Sequence, residues 1–341
     1  MKMQAMVLEA PASIESAPLA LREVTAPEPG PGEIRVRVLA SAVCRTDLHV
    51  VEADLPPEKR GIIPGHQVVG LVEKLGPGAR RFREGDRAGI AWLRSTCGAC
   101  RYCLAGHENL CARARFTGYH EDGGYAEYAV VREDFAYRVP ASLDPAAVTP
   151  LLCAGIIGFR ALQRAEMRPG TALGMYGFGS SAHIAIQIAL HFGCRVYVMT
   201  RDEKHRELAR KLGAAWAGGS EEKPPEPLES AVLFAPAGEI VPGALEALDR
   251  GGTLAIAGIH LSDIPPLDYE RHLFYERNLR SVTANTRADG EELLRLAAAI
   301  PLVPQTIRFP LSDANRALQF LKHDGIQGTG VLEIGRTLGH A

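Results

Sequence analysis

Four cysteines crowd the stretch between positions 97 and 111 of this chain, in the run CGACRYCLAGHENLC. The spacing of Cys97, Cys100, Cys103 and Cys111, C-x2-C-x2-C-x7-C, lets four soft thiolates converge from a tight turn, with Gly98 and Gly106 nearby to permit it. That is the donor set of a tetrahedral zinc site. An iron–sulfur cluster can also use C-x2-C-x2-C, but its fourth cysteine usually follows at another spacing and is often trailed by proline. Four protein ligands close the coordination sphere of zinc, so the pattern predicts a structural metal in a lobe over 92–114 with no position left for substrate. The surroundings lack the basic, aromatic-rich face of a nucleic-acid-binding zinc ribbon.

At 341 residues the chain exceeds what one hydrophobic core usually organises, and two domains are expected. Lys plus Arg number 38 against 40 Asp plus Glu, with both signs interspersed, which argues against a nucleic-acid or membrane surface. The first residues lack the apolar run of a signal peptide, and no stretch approaches the roughly 18 apolar residues of a membrane span. A soluble, cytoplasmic protein is expected. Seven cysteines in such a chain suit metal ligation better than a disulfide framework.

From 1 to about 145 the sequence reads as short alternating strands broken by Gly and Pro, at 33–43, 67–76, 85–91 and 124–131. This predicts a β-rich, barrel-like domain. From about 150 the texture changes. Apolar runs at 172–177, 194–200, 231–237, 253–259 and 279–284 alternate with helical patterns at 180–192 and 204–212, which predicts a doubly wound parallel sheet. The tail carries helical stretches at 290–299 and 312–323 and a strand at 331–335, and it does not continue that parallel period. Residues 285–341 are therefore expected to rejoin the first domain, 1–149, leaving 150–284 as the nucleotide-binding domain. The Pro-rich stretch 221–227 reads as a surface loop.

Three further residues stand apart, Cys44 in CRTDLH, His66 in PGHQ and Cys153 in LLCAG. A catalytic zinc keeps three protein ligands and one open position, and two Cys with one His is a known set. Singly, each also reads as an ordinary residue, a buried core thiol or a loop histidine. The order C-x-T-D-x-H, then GH before an apolar run, then the four-cysteine lobe, then a Cys ahead of a glycine turn, resembles the zinc-containing medium-chain alcohol dehydrogenases over essentially the whole chain.

That resemblance implies a GroES-like β-rich catalytic domain beside a Rossmann domain, an overall α/β class, and two zinc ions per chain. It implies that Cys44, His66 and Cys153 bind the catalytic zinc, that Asp47 orients a zinc-bound imidazole, and that Thr46 and His49 relay the alcohol proton through the cofactor ribose. Zinc would act as a Lewis acid that favours an alkoxide near neutral pH, with hydride passing to the nicotinamide. Leu55 and Trp92 resemble the walls of the substrate pocket. The family usually has Glu after the zinc-binding His, and here the residue is Gln67, read as a modulator of the metal's surroundings. Homodimers or homotetramers joined at the edge strand 279–284 are the form the family implies.

The run GMYGFGSSAH sets Gly177, Phe178, Gly179 and Ser180 after a strand and before a helix, with Ala182 as the third small residue. A tight turn with bare backbone lets a pyrophosphate sit on a helix N-terminus. Where relatives carry the acidic residue that holds the adenine ribose, this chain has Thr200, followed by Arg201, with Arg206 a turn further on. A hydroxyl and a guanidinium suit a 2′-phosphate, so NADP(H) is favoured over NAD(H), although Asp202 keeps a plain helix-start reading open. Thr329 stands where relatives often carry an Arg toward the pyrophosphate. The expected activity is the interconversion of small alcohols with aldehydes or ketones. The alternatives are a zinc-independent quinone or enoyl reductase of the same superfamily, which both cysteine patterns oppose, and a non-catalytic nucleotide-binding relative.

Overall fold

Strand Glu33–Ala42 carries Ile34, Val36, Val38, Ala40 and Ala42 into the interior, and its length lets it serve three partners. The protein is described over residues 1–335 by a computed structural model. Along one edge this strand pairs antiparallel with Gln67–Leu75. Along the other it pairs first with Tyr128–Arg132 and then with Thr329–Glu333. Arg87–Ile90 and Ala136–Arg138 extend the sheet on one side, and Thr306–Pro310 extends it beyond Thr329–Glu333, giving seven strands. A hairpin of Lys2–Leu8 and Leu19–Thr25 stands beside them. These elements form one compact unit, comprising Met1–Cys153, Ala284–Ala299 and the described residues from Val303.

The second unit, Ala154–Thr283 with Ile300–Leu302, is built on six parallel strands. Their order across the sheet is Trp216–Gly218, Arg195–Met199, Ala172–Tyr176, Leu228–Leu233, Leu248–Ile256, Asn278–Ser281. Strand Ala172–Tyr176 is buried along its whole length, as expected where helices cover both faces. The order reverses between this strand and Leu228–Leu233, which makes their carboxyl ends the place for a ligand crevice in such a sheet. Helix Glu203–Leu212 buries only Leu208 and Ala209, starts on an Asp202 cap and stops at left-handed Gly213. Asn278–Ser281 lies at the sheet edge.

Several boundaries differ from the apolar runs. The stretch 124–131 enters the seven-stranded sheet only at Tyr128, because Tyr125 and Ala126 are engaged elsewhere, the Tyr125 carbonyl with Met6 N and Ala126 in a bridge to Ala5. The strands expected at 231–237 and 253–259 run instead from Leu228 to Leu233 and from Leu248 to Ile256. Their apolar tails leave the sheet, with Phe234 and Ala235 both turning back to the Tyr176 carbonyl. Strand Thr306–Pro310 and the first hairpin escaped the sequence reading. Among the described residues no single helix is long and apolar enough to cross a membrane.

The four-cysteine lobe is tied down by a buried carboxylate. Glu108, 4% exposed, accepts from Arg287 N at 3.0 Å and Arg287 Nε at 3.1 Å, and the same guanidinium lies over the Phe135 ring. Burial would raise the Glu108 pKa, but these donors outweigh it and hold the carboxyl below its usual value. Its contribution is therefore complete above the ordinary carboxyl range and fades as pH falls through it. Glu108→Gln should cost about 1–2 kcal/mol, with part-exposed Arg287 recovering some hydration. Urea unfolding of both proteins at neutral pH and at pH 4 measures this, and the gap should shrink at the lower pH.

Candidate metal centres and nucleotide-binding turn

Cys44 follows strand Glu33–Ala42 and caps helix Arg45–Val51, so Thr46, Asp47 and His49 fall within the first turn and a half. Register does the rest. Ala42 pairs with Gln67, so the residue just before that strand, His66, stands at the same sheet end as Cys44. Cys153 arrives from the turn Thr149–Leu152. The Cys44 and Cys153 sulfurs and a His66 ring nitrogen all lie within 4.8 Å of one another. Zinc–ligand bonds of about 2.0–2.3 Å imply tetrahedral edges of roughly 3.5–3.8 Å, which this spacing accommodates.

His66 is fully buried and its Nε2 has no hydrogen-bond partner among the described residues. Its Nδ1 is 2.8 Å from Asp47 Oδ1. An imidazole held at one nitrogen by a carboxylate, with the other nitrogen buried and unsatisfied, is a metal ligand's arrangement. Burial opposes charge on His66, yet the Asp47 carboxylate and the Cys44 sulfur outweigh it and push its pKa up to about 10. The Cys44 thiol is held well below its usual value, first by Cys153 and then by His66, while Cys153 is pushed well above. The cluster is thus an electron-rich pocket that favours a cation, and a metal would compete there with protons. The donor set fits zinc.

Around this cluster Thr46 is buried, its Oγ1 3.8 Å from Cys44 Sγ. His49 is about a quarter exposed, and its Nδ1 meets Asp54 Oδ2 at 2.8 Å. Gln67 is buried with its Oε1 unpartnered. The Trp92 ring stands edge-on to His66, with centroids 5.1 Å apart, and stacks on Phe116 at 4.8 Å. Leu55 is half-buried against the core of this unit.

In the lobe, Cys103 Sγ lies 3.8 Å from Cys97 Sγ and 3.5 Å from Cys100 Sγ, and Cys97 N points at Cys111 Sγ at 3.5 Å. All four ligand atoms fall within 4.8 Å of one another. The Ala99 N–H, then Arg113, then the Cys100 N–H draw the Cys97 thiol down to about 5, which readies it as a thiolate.

In the second unit Gly177 joins strand Ala172–Tyr176 to helix Ser180–His191 at φ 86°, and a Cβ there would lie 2.8 Å from Ala235 N. Only glycine fits this turn. Phe178 and Ala182 are buried, and Gly179 caps the helix without a side chain. Thr200 is buried at the end of Arg195–Met199, and Arg201 is exposed. Arg206 is engaged locally, with Glu203 Oε2 at 2.5 and 2.8 Å and with the carbonyls of Thr200 and Arg201. It braces the turn that Asp202 caps. Thr329 is buried at the start of strand Thr329–Glu333, facing Thr306 in the register.

Two family profiles match, "Alcohol dehydrogenase GroES-like domain" over residues 30–141 and "Zinc-binding dehydrogenase" over 182–299. The chain is 51% identical to the probable alcohol dehydrogenase AdhA of Mycobacterium tuberculosis, covering 97% of each chain. The chain belongs to the zinc-containing medium-chain alcohol dehydrogenases. It is 35% identical to an alcohol dehydrogenase of Geobacillus stearothermophilus, over 93% of this chain and 96% of that one. A solved structure of a cobalt- and zinc-bound thermostable alcohol dehydrogenase from Pyrobaculum aerophilum superposes with a TM-score of 0.87 at 27% identity, covering 98% and 100% of the two chains.

For a dehydrogenase of this family, sequence reasoning missed three residues near the expected site. Tyr125 donates its hydroxyl to Asp47 Oδ2 at 3.1 Å from a position 78 residues away. Asp54 holds His49, and an acid five residues after a proposed relay histidine was a readable signal. Glu239 was also missed. Its carboxyl is held low by its own N–H, by Ser262 and by the field of Arg201, so it weighs against Arg201 at the nucleotide end.

Proposed function

We propose that this dehydrogenase transfers hydride between small primary or secondary alcohols, or the corresponding aldehydes and ketones, and a nicotinamide cofactor, with catalytic zinc held by Cys44, His66 and Cys153. The observation that carries this reading is His66, whose buried Nε2 is unpartnered beside two cysteine sulfurs while Asp47 fixes Nδ1. When bound, zinc supplies Lewis acidity toward the substrate oxygen. Asp47 keeps the His66 tautomer whose Nε2 lone pair is available. Thr46 accepts the hydroxyl proton as it gives up its own, and His49, steadied by Asp54 and partly exposed, exchanges the relayed proton with water. Cys97, Cys100, Cys103 and Cys111 hold a second, structural zinc.

Gly177, Phe178, Gly179, Ser180 and Ala182 form the pyrophosphate turn in this reading. Leu55 and Trp92 wall the substrate, and Gln67 tempers the charge around the metal. A homodimer or homotetramer along the edge strand Asn278–Ser281 completes it.

NADP(H) is the favoured cofactor, with exposed Arg201 as the 2′-phosphate partner and Thr200 beside it. Arg206 serves by bracing the turn rather than by touching phosphate. Arg201→Ala should raise the apparent KM for NADPH about tenfold or more and leave that for NADH nearly unchanged. Equal effects on both would remove the 2′-phosphate argument, and the Glu239 carboxylate, within the field of Arg201, supplies the reason to run NADH alongside. The activity is tested with a panel of primary and secondary alcohols and their carbonyls, each assayed with both cofactors. Oxidation of none of them would overturn the reading.

A further inference from the structure

Asp47 accepts four hydrogen bonds, which fill the lone-pair sites of a carboxylate. Oδ1 takes His66 Nδ1 at 2.8 Å and Gly65 N at 3.2 Å. Oδ2 takes Cys44 N at 2.9 Å and the Tyr125 hydroxyl at 3.1 Å. Three of these donors belong to the ligand-bearing segments themselves and move with them. Tyr125 is the fourth, and it comes from elsewhere in the unit.

Its backbone is clamped. Tyr125 N donates to Pro64 O at 3.0 Å, its carbonyl accepts from Met6 N at 2.8 Å, and the preceding Gly124 N donates to Gly65 O at 2.8 Å. The ring is fully buried in the core of the unit. It lies so close to Gly65 that a Cβ there would be 2.3 Å from ring Cδ1, and Gly65 has φ 96°. The chain leading into His66 is therefore moulded on the Tyr125 ring, while the Tyr125 hydroxyl fixes the carboxylate that aims the His66 imidazole. Burial first, and the Asp47 charge second, push the Tyr125 hydroxyl well above its usual pKa, so it stays a donor throughout the working range.

We propose that Tyr125 is a positioning residue for the Cys44, His66 and Cys153 metal site, acting through Asp47. The proposal rests on the reading that these three residues hold a metal. Losing the hydroxyl leaves the carboxylate one donor short and less firmly held by the remaining three, and the imidazole orientation loosens with it. Partners at this remove from a metal change its affinity by about 10- to 100-fold when removed.

The experiment follows zinc release from the holoenzyme to a chromogenic chelator. Tyr125→Phe keeps the ring against Gly65 and removes only the hydroxyl. It should release one zinc about tenfold faster than the unaltered protein, with the second zinc and the circular dichroism spectrum unchanged. In an Asp47→Asn background the same substitution should add little, since both act on one interaction. Release at the unaltered rate, equal acceleration of both zincs, or full additivity with Asp47→Asn would each overturn the role of Tyr125. If the unaltered protein yields one zinc only, and Cys44→Ser leaves that count the same, the metal-site reading fails and takes the proposal with it.

Discussion

His66→Ala lowers turnover by about a thousandfold or more while nucleotide binding persists. The expectation follows from what the side chain does. His66 is fully buried, its Nε2 faces two sulfurs, and no other described histidine joins that cluster. Lewis-acid polarisation is worth several kcal/mol, and each 1.36 kcal/mol is a factor of ten in rate, so losing the metal removes about three decades. Cys44→Ser is the gentler companion, because it preserves volume and the Cys44 N to Asp47 hydrogen bond while replacing a soft thiolate. The glycine turn at Gly177 belongs to the other compact unit, so cofactor titration by fluorescence should be unchanged. Near-normal kcat in either variant would end the zinc mechanism.

Cys103→Ser should act on stability. The lobe around it has almost no apolar core. Leu104 is 76% exposed, Leu110 is 46% exposed, and helix Arg101–Leu104 buries no residue. Its order then depends on four thiolates and the Glu108–Arg287 tether. A closed zinc site contributes folding free energy outright, on the order of 10 kcal/mol in small zinc domains. Even a fraction of that, a few kcal/mol, corresponds to a Tm drop of about 10 °C in a unit of this size. Limited proteolysis should cut within 97–111 in the variant and spare the parent. An unchanged Tm and an intact lobe would mean that side-chain packing, not metal, holds it.

The two cysteine sets differ in how far sequence exposes them. Cys97, Cys100, Cys103 and Cys111 are local, so their spacing alone fixes their convergence. Cys44, His66 and Cys153 are scattered and individually ordinary. They meet because Ala42 and Gln67 pair across two strands and a tight turn returns the chain at Cys153. The parallel sheet of the second unit was legible from alternating apolar runs, since buried parallel strands read as continuous hydrophobic stretches, whereas the order of its strands was not. Strand ends were not, because Phe234 and Ala235 stay apolar after the backbone has turned out of the sheet. Arg206 shows the same gap at side-chain level. A basic residue near a nucleotide turn reads as a phosphate partner, and its contacts with Glu203 and with the Thr200 and Arg201 carbonyls carry no signal in the sequence. Tyr125 had no sequence signal at all, because its carboxylate partner comes from a distant helix.

The measurement closest to the central claim is the zinc content of the purified protein, by plasma mass spectrometry, before and after Cys44→Ser. Two zinc per chain falling to one in the variant is the predicted result. One zinc per chain in both would contradict it, leaving the four-cysteine lobe as the metal site and Cys44, His66 and Cys153 without one.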